Sequence, residues 1–393
     1  MISTSSPVIQ PAPVTGLASG RTWTVGLIEQ VRLILRGGSV IDWYRMGFET
    51  EDEVRDFLRV NGVDTEVPED VRRLRALLRM ANEYLSTTLD LKIPKRLWAP
   101  SDPTVPFLAA SQPSSPGGKR GSDDQTDACI LLKTVHTIHH LEARELRLSL
   151  ALSELDIFAL VERRVARAMT EIQALGYAIV VMTGSRKTRQ SVITKLLSKR
   201  RATATEILDR LRFRVICETT DDVVSVLAEM TRHLFPFNYA VPEETTNDLL
   251  DFSSWFDRHV ASGELERRLQ FDLELERKDP LRRDHNECSA TEFRMLNFVV
   301  DLPVRIDHLM DRPENAHLRH LGRIVFLNVE FQMFDRLSWD RNERNEATSH
   351  TAYKERQRER VRQRLTVGIE PHNNALKVAL DGALKDVRKR NGS

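Results

Sequence analysis

Residues 184–214 restrict the fold of this chain more than any other stretch, because they concentrate positive charge on segments that also carry clear secondary-structure patterns. They contain ten Lys or Arg and only two acids, Glu206 and Asp209, so the local net charge is +8 against +1 for the whole chain. Charge of one sign at this density cannot enter an apolar core without partners. The stretch therefore predicts either a solvated basic surface or a site for phosphate groups, and both interpretations fit this segment taken alone.

The first part of the stretch predicts a helix. Lys187, Ser191 and Lys195 recur every fourth residue and share one helical face. Apolar residues at 192–193 and 196–197 fall on the opposite face. We expect the helix to pack through its apolar face and to present the two lysines and the hydroxyl.

The second part predicts a strand. The sequence LRFRVIC at 211–217 alternates, with Arg212 and Arg214 on one side. The β-branched run that ends at Gly184 predicts a buried strand leading into the basic helix. Asp209 lies where the later strand begins. An isolated acid among so many cations is either their ion-pair partner or a metal ligand beside bound phosphates.

Two further strands are predicted downstream. One runs from Phe293 to about Arg305, and the other, at 323–334, alternates so that Glu330 and Gln332 face away from the core. Helical patterns separate these strands. The predicted fold class is therefore α+β, a mixed β-sheet flanked by helices, together with an N-terminal helical module.

Changes in pattern give the predicted domain boundaries. Three apolar helical stripes form the N-terminal module, with Trp43, Tyr44 and Trp98 expected in its core. A stretch rich in Pro, Gly and Ser then predicts a linker. The predicted order is a disordered leader at 1–20, the helical module at 21–98, the linker at 99–126, a helical connector at 127–175, the mixed-sheet domain at 176–368 and a C-terminal helix at 369–393.

Composition limits the class of protein. Hydrophobic residues make up 41% of the chain and charged residues 29%, as in soluble globular proteins, and the pI near 7.8 implies no general attraction to DNA or membranes. The three cysteines, at 129, 217 and 288, are too scattered to predict a disulfide framework or a zinc site. No apolar run is long enough to cross a bilayer. We expect a cytoplasmic protein that binds neither DNA nor membranes.

Three histidines, His136, His139 and His140, have helical i, i+3, i+4 spacing that can place metal ligands on one face. Glu142 is the only acid close enough to complete such a set. The favoured interpretation is structural, since no acid or Cys at a ligand-like offset completes a metal-binding set.

Four blocks in order resemble the synthetase domain of RelA/SpoT-type alarmone synthetases, and the resemblance covers about residues 176–365. That family has a cationic K-x-x-x-S helix, a D-x-x-x-x-R strand, an E-x-Q strand and an H-x-x-Y-K helix. The matching positions here are Lys187 and Ser191, Asp209 and Arg214, Glu330 and Gln332, and His350, Tyr353 and Lys354.

The resemblance implies Mg²⁺-dependent transfer of a pyrophosphoryl group from ATP to the 3′-hydroxyl of GTP or GDP. Asp209 and Glu330 would be the catalytic and metal-binding residues, with Glu330 also a candidate base. The implied ATP and phosphate ligands are Arg186, Lys187, Arg189, Ser191, Lys195, Arg214, His350 and Lys354. The implied acceptor-binding residues are Phe293, Arg294, Asn297 and Gln332. A homo-oligomer is compatible with this function.

Departures from the family pattern fall mainly on the acceptor side. The family motif G-Y-x-S-x-H aligns with the sequence EFRMLN at 292–297, Phe334 replaces an expected Arg, and Ser185 replaces another. Two alternatives therefore remain: the same donor chemistry on an adenine nucleotide or an RNA end, or a non-catalytic nucleotide-binding scaffold. The chain has no His-Asp dipeptide, so the resemblance does not imply the metal hydrolase found in some family members.

Overall fold

The computed structural model describes residues 23–37, 43–111, 124–150, 153–198, 210–242, 244–259, 293–344 and 350–366. These residues belong to two compact units. The larger unit takes its described residues from Met1–Arg186, Leu208–His285 and Arg294–Arg341. The smaller unit takes them from Lys187–Ile207, Asn286–Phe293 and Asn342–Ser393.

Helices make up the N-terminal half of the larger unit. They are α1 (Val25–Leu35), α2 (Glu51–Val60), α3 (Pro68–Thr88), α4 (Lys95–Trp98), α5 (Val105–Ser111), α6 (Asp124–Ser149) and α7 (Glu154–Ala174). Several begin where the sequence provides a cap. Thr50 forms a capping box with Glu53 at the start of α2, and Ser153 forms one with Asp156 at the start of α7. Pro68 occupies the first turn of α3, where its missing N–H costs no hydrogen bond.

Five strands form one sheet in the described part of the chain. They are β1 (Ile179–Arg186), β2 (Leu211–Cys217), β3 (Thr246–Asn247), β4 (Leu296–Arg305) and β5 (Ile324–Asp335). Their order across the sheet is β1-β2-β5-β4-β3. The β2–β5 pair is parallel and the other pairs are antiparallel, so the sheet is mixed, as the sequence predicts.

The remaining helices lie between and after the strands. They are α8 (Arg189–Ser198), α9 (Thr220–His233), α10 (Phe252–His259), α11 (Asp307–Met310), α12 (Arg336–Arg344) and α13 (His350–Thr366). Short 3₁₀ helices occur at Trp43–Arg45, Phe237–Tyr239 and Pro313–Leu321. The predicted α+β class with N-terminal helices is therefore confirmed. The predicted helix at 369–393 lies outside the described residues.

The two faces of the sheet have different chemistry. On one face Phe331 stacks between Phe213 and Phe298, with ring centroids 5.8 and 5.5 Å away, and Phe235 at the end of α9 packs on the same cluster. The opposite face carries the polar positions of β2, β4 and β5. Helix α6 packs against β5 near Phe326, which alternation places on this polar face.

Two sequence predictions are wrong in this region. Residues 105–111 of the predicted linker form α5, and Phe107 and Ala110 are buried in the core. Pro106 lies in the first turn of that helix, where proline is tolerated, so a turn signal there was misleading. Trp43 is buried and Trp98 packs against the core, as predicted, but Tyr44 is 48% exposed. No helix in the described residues is long and apolar enough to span a membrane.

Candidate active site

A row of polar side chains crosses all five described strands on the polar face of the sheet. Backbone register places Thr183 opposite Arg214, Arg214 opposite Gln332, Gln332 opposite Asn297, and Asn297 opposite Thr246. Because side chains alternate along a strand, residues opposite one another in register lie on the same face. Residues from distant parts of the sequence are thus aligned on one surface, and two of them, Asn297 and Gln332, were predicted to bind the acceptor.

The neighbouring row contains an ion pair. Arg212 lies opposite Glu330, and its Nε donates to Glu330 Oε2 at 2.5 Å. Gln332 Nε2 donates to Glu330 Oε1 at 3.3 Å. Glu330 is only 6% exposed, so its carboxylate is held between a cation and an amide with little access to water. The sequence predicted the direction of Glu330 but not its partnership with Arg212.

Arg214 is held on two sides. Its Nε donates to Gln332 Oε1 at 3.2 Å, and its guanidinium carbon lies 5.7 Å from the centre of the Trp339 ring in α12. A guanidinium carries five N–H donors in a fixed fork that suits an anion, and here the amide and the ring fix its orientation. The predicted phosphate ligand Arg214 and the predicted acid Glu330 thus lie in adjacent rows.

The β4 and β3 end of the row has unused hydrogen-bonding capacity. Among the described residues, the buried atom Asn297 Oδ1 has no hydrogen-bond partner. A buried polar atom without a partner costs about 1–3 kcal/mol, so such atoms often indicate where water or a ligand binds.

Glu330 fits the requirements of a Mg²⁺ ligand. Magnesium takes one or two protein carboxylates and keeps several waters. The contact from Gln332 to Glu330 Oε1 is long, and a carboxylate offers about four lone-pair positions, so Glu330 retains acceptor capacity. Asp209, the predicted second ligand, lies outside the described residues. Its meeting with Glu330 stays a prediction.

The smaller unit brings together two of the predicted phosphate-binding blocks. Helices α8 and α13, from the first and last blocks, pack against each other. Lys354 is exposed on α13, whereas the side chains of His350 and Lys195 lie outside the described part of the structure. The pairing of these helices joins segments more than 150 residues apart in the chain.

The detailed pattern predicted for α8 needs correction. The helix begins at Arg189, so Lys187 precedes it and does not share a helical face with Ser191. Thr188 is the reason, because its Oγ1 accepts from Ser191 N at 3.3 Å in the manner of a helix cap. Ile193 and Leu197, predicted to pack, are 47% and 41% exposed.

Arg186 is engaged within the larger unit. Its Nε and Nη2 donate to the two carboxylate oxygens of Glu162 at 2.8 and 2.7 Å, and this pairing raises its pKa. Its guanidinium carbon also lies 5.6 Å from the centre of the Phe158 ring. Arg189 and Arg294 are exposed and Phe293 is partly buried, and their predicted roles stay predictions.

The three histidines of α6 pack against the sheet and the residues that follow α9. His136 stacks on Tyr239 at 5.2 Å, and His140 stacks on Phe326 at 4.2 Å. His140 Nδ1 also lies 3.2 Å from Asp301 Oδ2. Glu142, the acid considered in the sequence, instead pairs with Arg73. These imidazoles thus contribute to the packing of α6 on the polar face of the sheet.

Comparison with known proteins gives similarity at the level of structure. No protein-family model matches the chain. No curated protein matches it either. Among solved structures, it is similar to small alarmone synthetase 2 from Bacillus subtilis, with 14% identity and a TM-score of 0.29 over 59% of this chain and 97% of that one. It is also similar to small alarmone synthetase 1 from Bacillus subtilis bound to its product pppGpp, with 15% identity and a TM-score of 0.24 over 56% and 91%.

A third similar structure is a GTP pyrophosphokinase family protein from Streptococcus pneumoniae, with 14% identity and a TM-score of 0.25 over 58% of this chain and 93% of that one. At these identities and TM-scores, the function is inferred from this chain's own residues.

Proposed function

We propose that this protein is a Mg²⁺-dependent pyrophosphokinase that transfers the β,γ-pyrophosphoryl group of ATP to a hydroxyl of a second nucleotide. The observation that carries the proposal is the pair of cross-strand contacts from Arg212 to Glu330 and from Arg214 to Gln332. They place cations, a buried carboxylate and a neutral amide on one sheet face, and four sequence blocks supply the remaining expected parts.

The transfer reaction matches this set of groups. The acceptor hydroxyl oxygen forms a bond to the β-phosphorus, the bond between that phosphorus and the oxygen bridging to the α-phosphorus breaks, and AMP leaves. The hydroxyl proton passes to a base, and Glu330 is the candidate in the described part of the sheet. Cations stabilise charge that spreads over the phosphoryl oxygens, and Arg214 is fixed in position for that task.

Magnesium would neutralise charge on the donor triphosphate when bound. Glu330, together with Asp209, would hold it. Arg212 fixes the Glu330 carboxylate through its Nε, so the acid does not need to reorganise when substrates bind. Lys187, Ser191, Lys195, His350 and Lys354 are proposed as phosphate ligands of the smaller unit.

The acceptor is proposed to be a guanine nucleotide, GTP or GDP. Asn297 is the feature of the site that bears on this choice, because its Oδ1 is a buried acceptor without a partner among the described residues. Guanine presents N–H donors on its Watson–Crick edge that suit such an atom. The replaced block at 292–297 leaves an adenine nucleotide or an RNA end as the second candidate. A cytoplasmic location, where these nucleotides occur, is part of the proposal.

A transfer assay tests the proposal directly. Purified full-length protein is incubated with ATP labelled in the γ-phosphate, with and without Mg²⁺, and with GTP, GDP, an adenine nucleotide or a short RNA as acceptor. Chromatography then separates the labelled products. A labelled guanosine product supports the first acceptor, another labelled product supports the second, and the absence of any transfer removes the enzymatic proposal.

Glu330→Gln provides the decisive variant. It keeps the shape of the side chain and one of its two acceptor oxygens while removing its charge, and we expect a rate loss of at least about 100-fold. Glu218→Gln is the matched control, since Glu218 also pairs with an arginine, Arg336, but at an exposed position. Full transfer activity in Glu330→Gln would exclude Glu330 as ligand or base.

A further inference from the structure

A cavity separate from the candidate active site, the second cavity, lies in the larger unit and shares no residue with the polar row. It has a volume of about 780 Å³ and lies where α1 and α2 face α7 and the end of α9. Its volume is within the range of roughly 300–1,000 Å³ that is usual for small-molecule sites.

The walls of this cavity differ in chemistry. Met46, Phe48 and Phe57 provide an apolar wall from the α1–α2 region. The opposite wall carries Arg163, Arg164 and Arg167 from α7, with Arg232 from α9 beside them. A ligand that fills the cavity would therefore meet apolar surface on one side and guanidinium groups on the other.

The acids that line the cavity do not balance this positive wall. Asp56 pairs with Arg59, a cation that also lines the cavity, at 2.6 Å, so these two charges offset each other. Glu53 accepts from the backbone nitrogens of residues 49 and 50 at the start of α2. Of the three acids in the lining, this leaves Glu171 to face the arginines of α7, while Arg232 of α9 lies 3.9 Å from Glu229 Oε1.

Arg164 shows that the positive charge is poorly compensated. Its Nη2 donates to the backbone carbonyls of Val60 and Leu234 at 2.7 and 2.8 Å, and its buried Nε has no hydrogen-bond partner among the described residues. Burial, and then the charge of Arg167, lowers its pKa to about 10. Within the described part of the chain, neither Arg163 nor Arg167 forms an ion pair.

We propose that this cavity binds a phosphorylated small molecule of nucleotide size, with its phosphates on the α7 arginines and its ring or apolar part against Phe48 and Phe57. Arginine pairs with phosphate through two parallel N–H donors, and its charge is permanent, so three arginines on one wall favour a polyanion. The aromatic wall favours a ligand that also carries a flat, weakly polar group. The proposal does not depend on the transfer reaction, because its residues belong to neither the polar row nor α8 and α13.

Calorimetric titration tests the site in the full-length protein. ATP, GTP and inorganic tripolyphosphate are each titrated in EDTA, so that binding that requires Mg²⁺ is suppressed. We expect ATP or GTP to bind to the wild-type protein. The same nucleotide should also bind to Arg214→Gln, a variant of the candidate active site. Arg163→Gln/Arg167→Gln should weaken that binding by about tenfold or more.

A matched control separates specific binding from general charge. Arg72 and Arg79 are exposed on α3, outside the cavity, and Arg72→Gln/Arg79→Gln removes the same charge. This variant should bind as wild type does. Thermal unfolding of each variant checks folding, and slower amide hydrogen exchange in α7 upon nucleotide addition to wild type gives a readout that needs no variant.

Several outcomes would overturn the proposal. No binding of any of the three compounds to wild type would do so, as would binding lost in Arg214→Gln but kept in Arg163→Gln/Arg167→Gln. If Arg72→Gln/Arg79→Gln weakened nucleotide binding as much as Arg163→Gln/Arg167→Gln, the loss of affinity would be explained by net charge alone. Tripolyphosphate binding as tightly as the nucleotides would exclude a role for the aromatic wall. None of these results would alter the outcome of the transfer assay, so the two proposals fail separately.

Discussion

At the scale of single residues, the polar row shows what alternation can and cannot predict. The alternating pattern correctly placed Glu330 and Gln332 on the face away from Phe331 and Met333. It could not give their partners, because cross-strand register depends on how β2 and β5 pair, and these strands are separated by more than 100 residues. The Arg212–Glu330 contact, central to the site, was therefore found only in the structure.

The Arg212–Glu330 pair gives a prediction about stability. Both side chains are largely buried, so Arg212→Gln leaves a carboxylate without its cation, and we expect a loss of about 3 kcal/mol in the free energy of unfolding. Adding Glu330→Gln removes the unpaired charge and should recover at least about 1 kcal/mol. Urea denaturation of the two single variants and the double variant measures this coupling. Additive losses would mean that the contact contributes nothing to folding.

At the scale of elements, periodicity predicts that most of the helices and strands exist. Their boundaries depend on local contacts, about which periodicity carries no information. Helix α8 begins at Arg189, later than predicted, because the Thr188 hydroxyl accepts from Ser191 N and caps the helix. The predicted linker became helix at Val105–Ser111 because its apolar residues pack on the first helices. Composition marks where a chain can turn, but burial against a neighbouring element decides whether a short segment becomes helical.

The packing of α1 gives a prediction whose sign opposes helix propensity. Alanine in place of glycine within a helix ordinarily stabilises it by about 1 kcal/mol. At Gly26, however, a Cβ would lie 2.3 Å from the backbone oxygen of Met46. Backbone cannot yield as a flexible side chain does, so we expect Gly26→Ala to destabilise the protein by about 2 kcal/mol or more.

Thermal or chemical unfolding compares Gly26→Ala with Ser86→Ala, an exposed change on α3 that should be nearly neutral. A stabilised Gly26→Ala protein would mean that α1 does not approach the 46–47 backbone this closely in solution. The same comparison tests the α1–α2 wall of the second cavity, which Gly26 and Met46 also line.

At the scale of the whole molecule, the near-neutral net charge of +1 conceals separate charged regions with different tasks. The basic stretch at 184–214 could be recognised in the sequence because its charges are concentrated in one short segment. The arginines of the second cavity come from α7 and α9 and were not visible, because only the fold brings Arg163, Arg167 and Arg232 together. Likewise, the spacing of the three histidines was evident, but Asp301 and Phe326 beside them come from the sheet.

His136, which is buried, and His139, which is partly buried, make the stability of the fold depend on pH. Burial, and then the charge of His140, lowers the pKa of His139 from 6.5 to about 3, and burial lowers that of His136 well below 6.5. Below about pH 6.5 the unfolded chain therefore binds protons that the folded protein does not, and stability falls as the pH decreases toward about 3. Each group contributes about 1.4 kcal/mol per pH unit within that window.

Urea unfolding at pH 7.5 and 5.5 should therefore show a loss of about 3 kcal/mol at the lower pH. Burial raises the pKa of Glu142, which acts in the opposite direction, but only nearer its ordinary value of 4.5. His139→Gln should remove about half of the loss, whereas His308→Gln, at an exposed position on α11, should leave it unchanged. An equal loss in wild type and His139→Gln would show that His139 takes up its proton in the folded protein as readily as in the unfolded chain. It would also mean that α6 packs less closely on the polar face of the sheet than the edge-to-face contact of His139 with Phe326 implies.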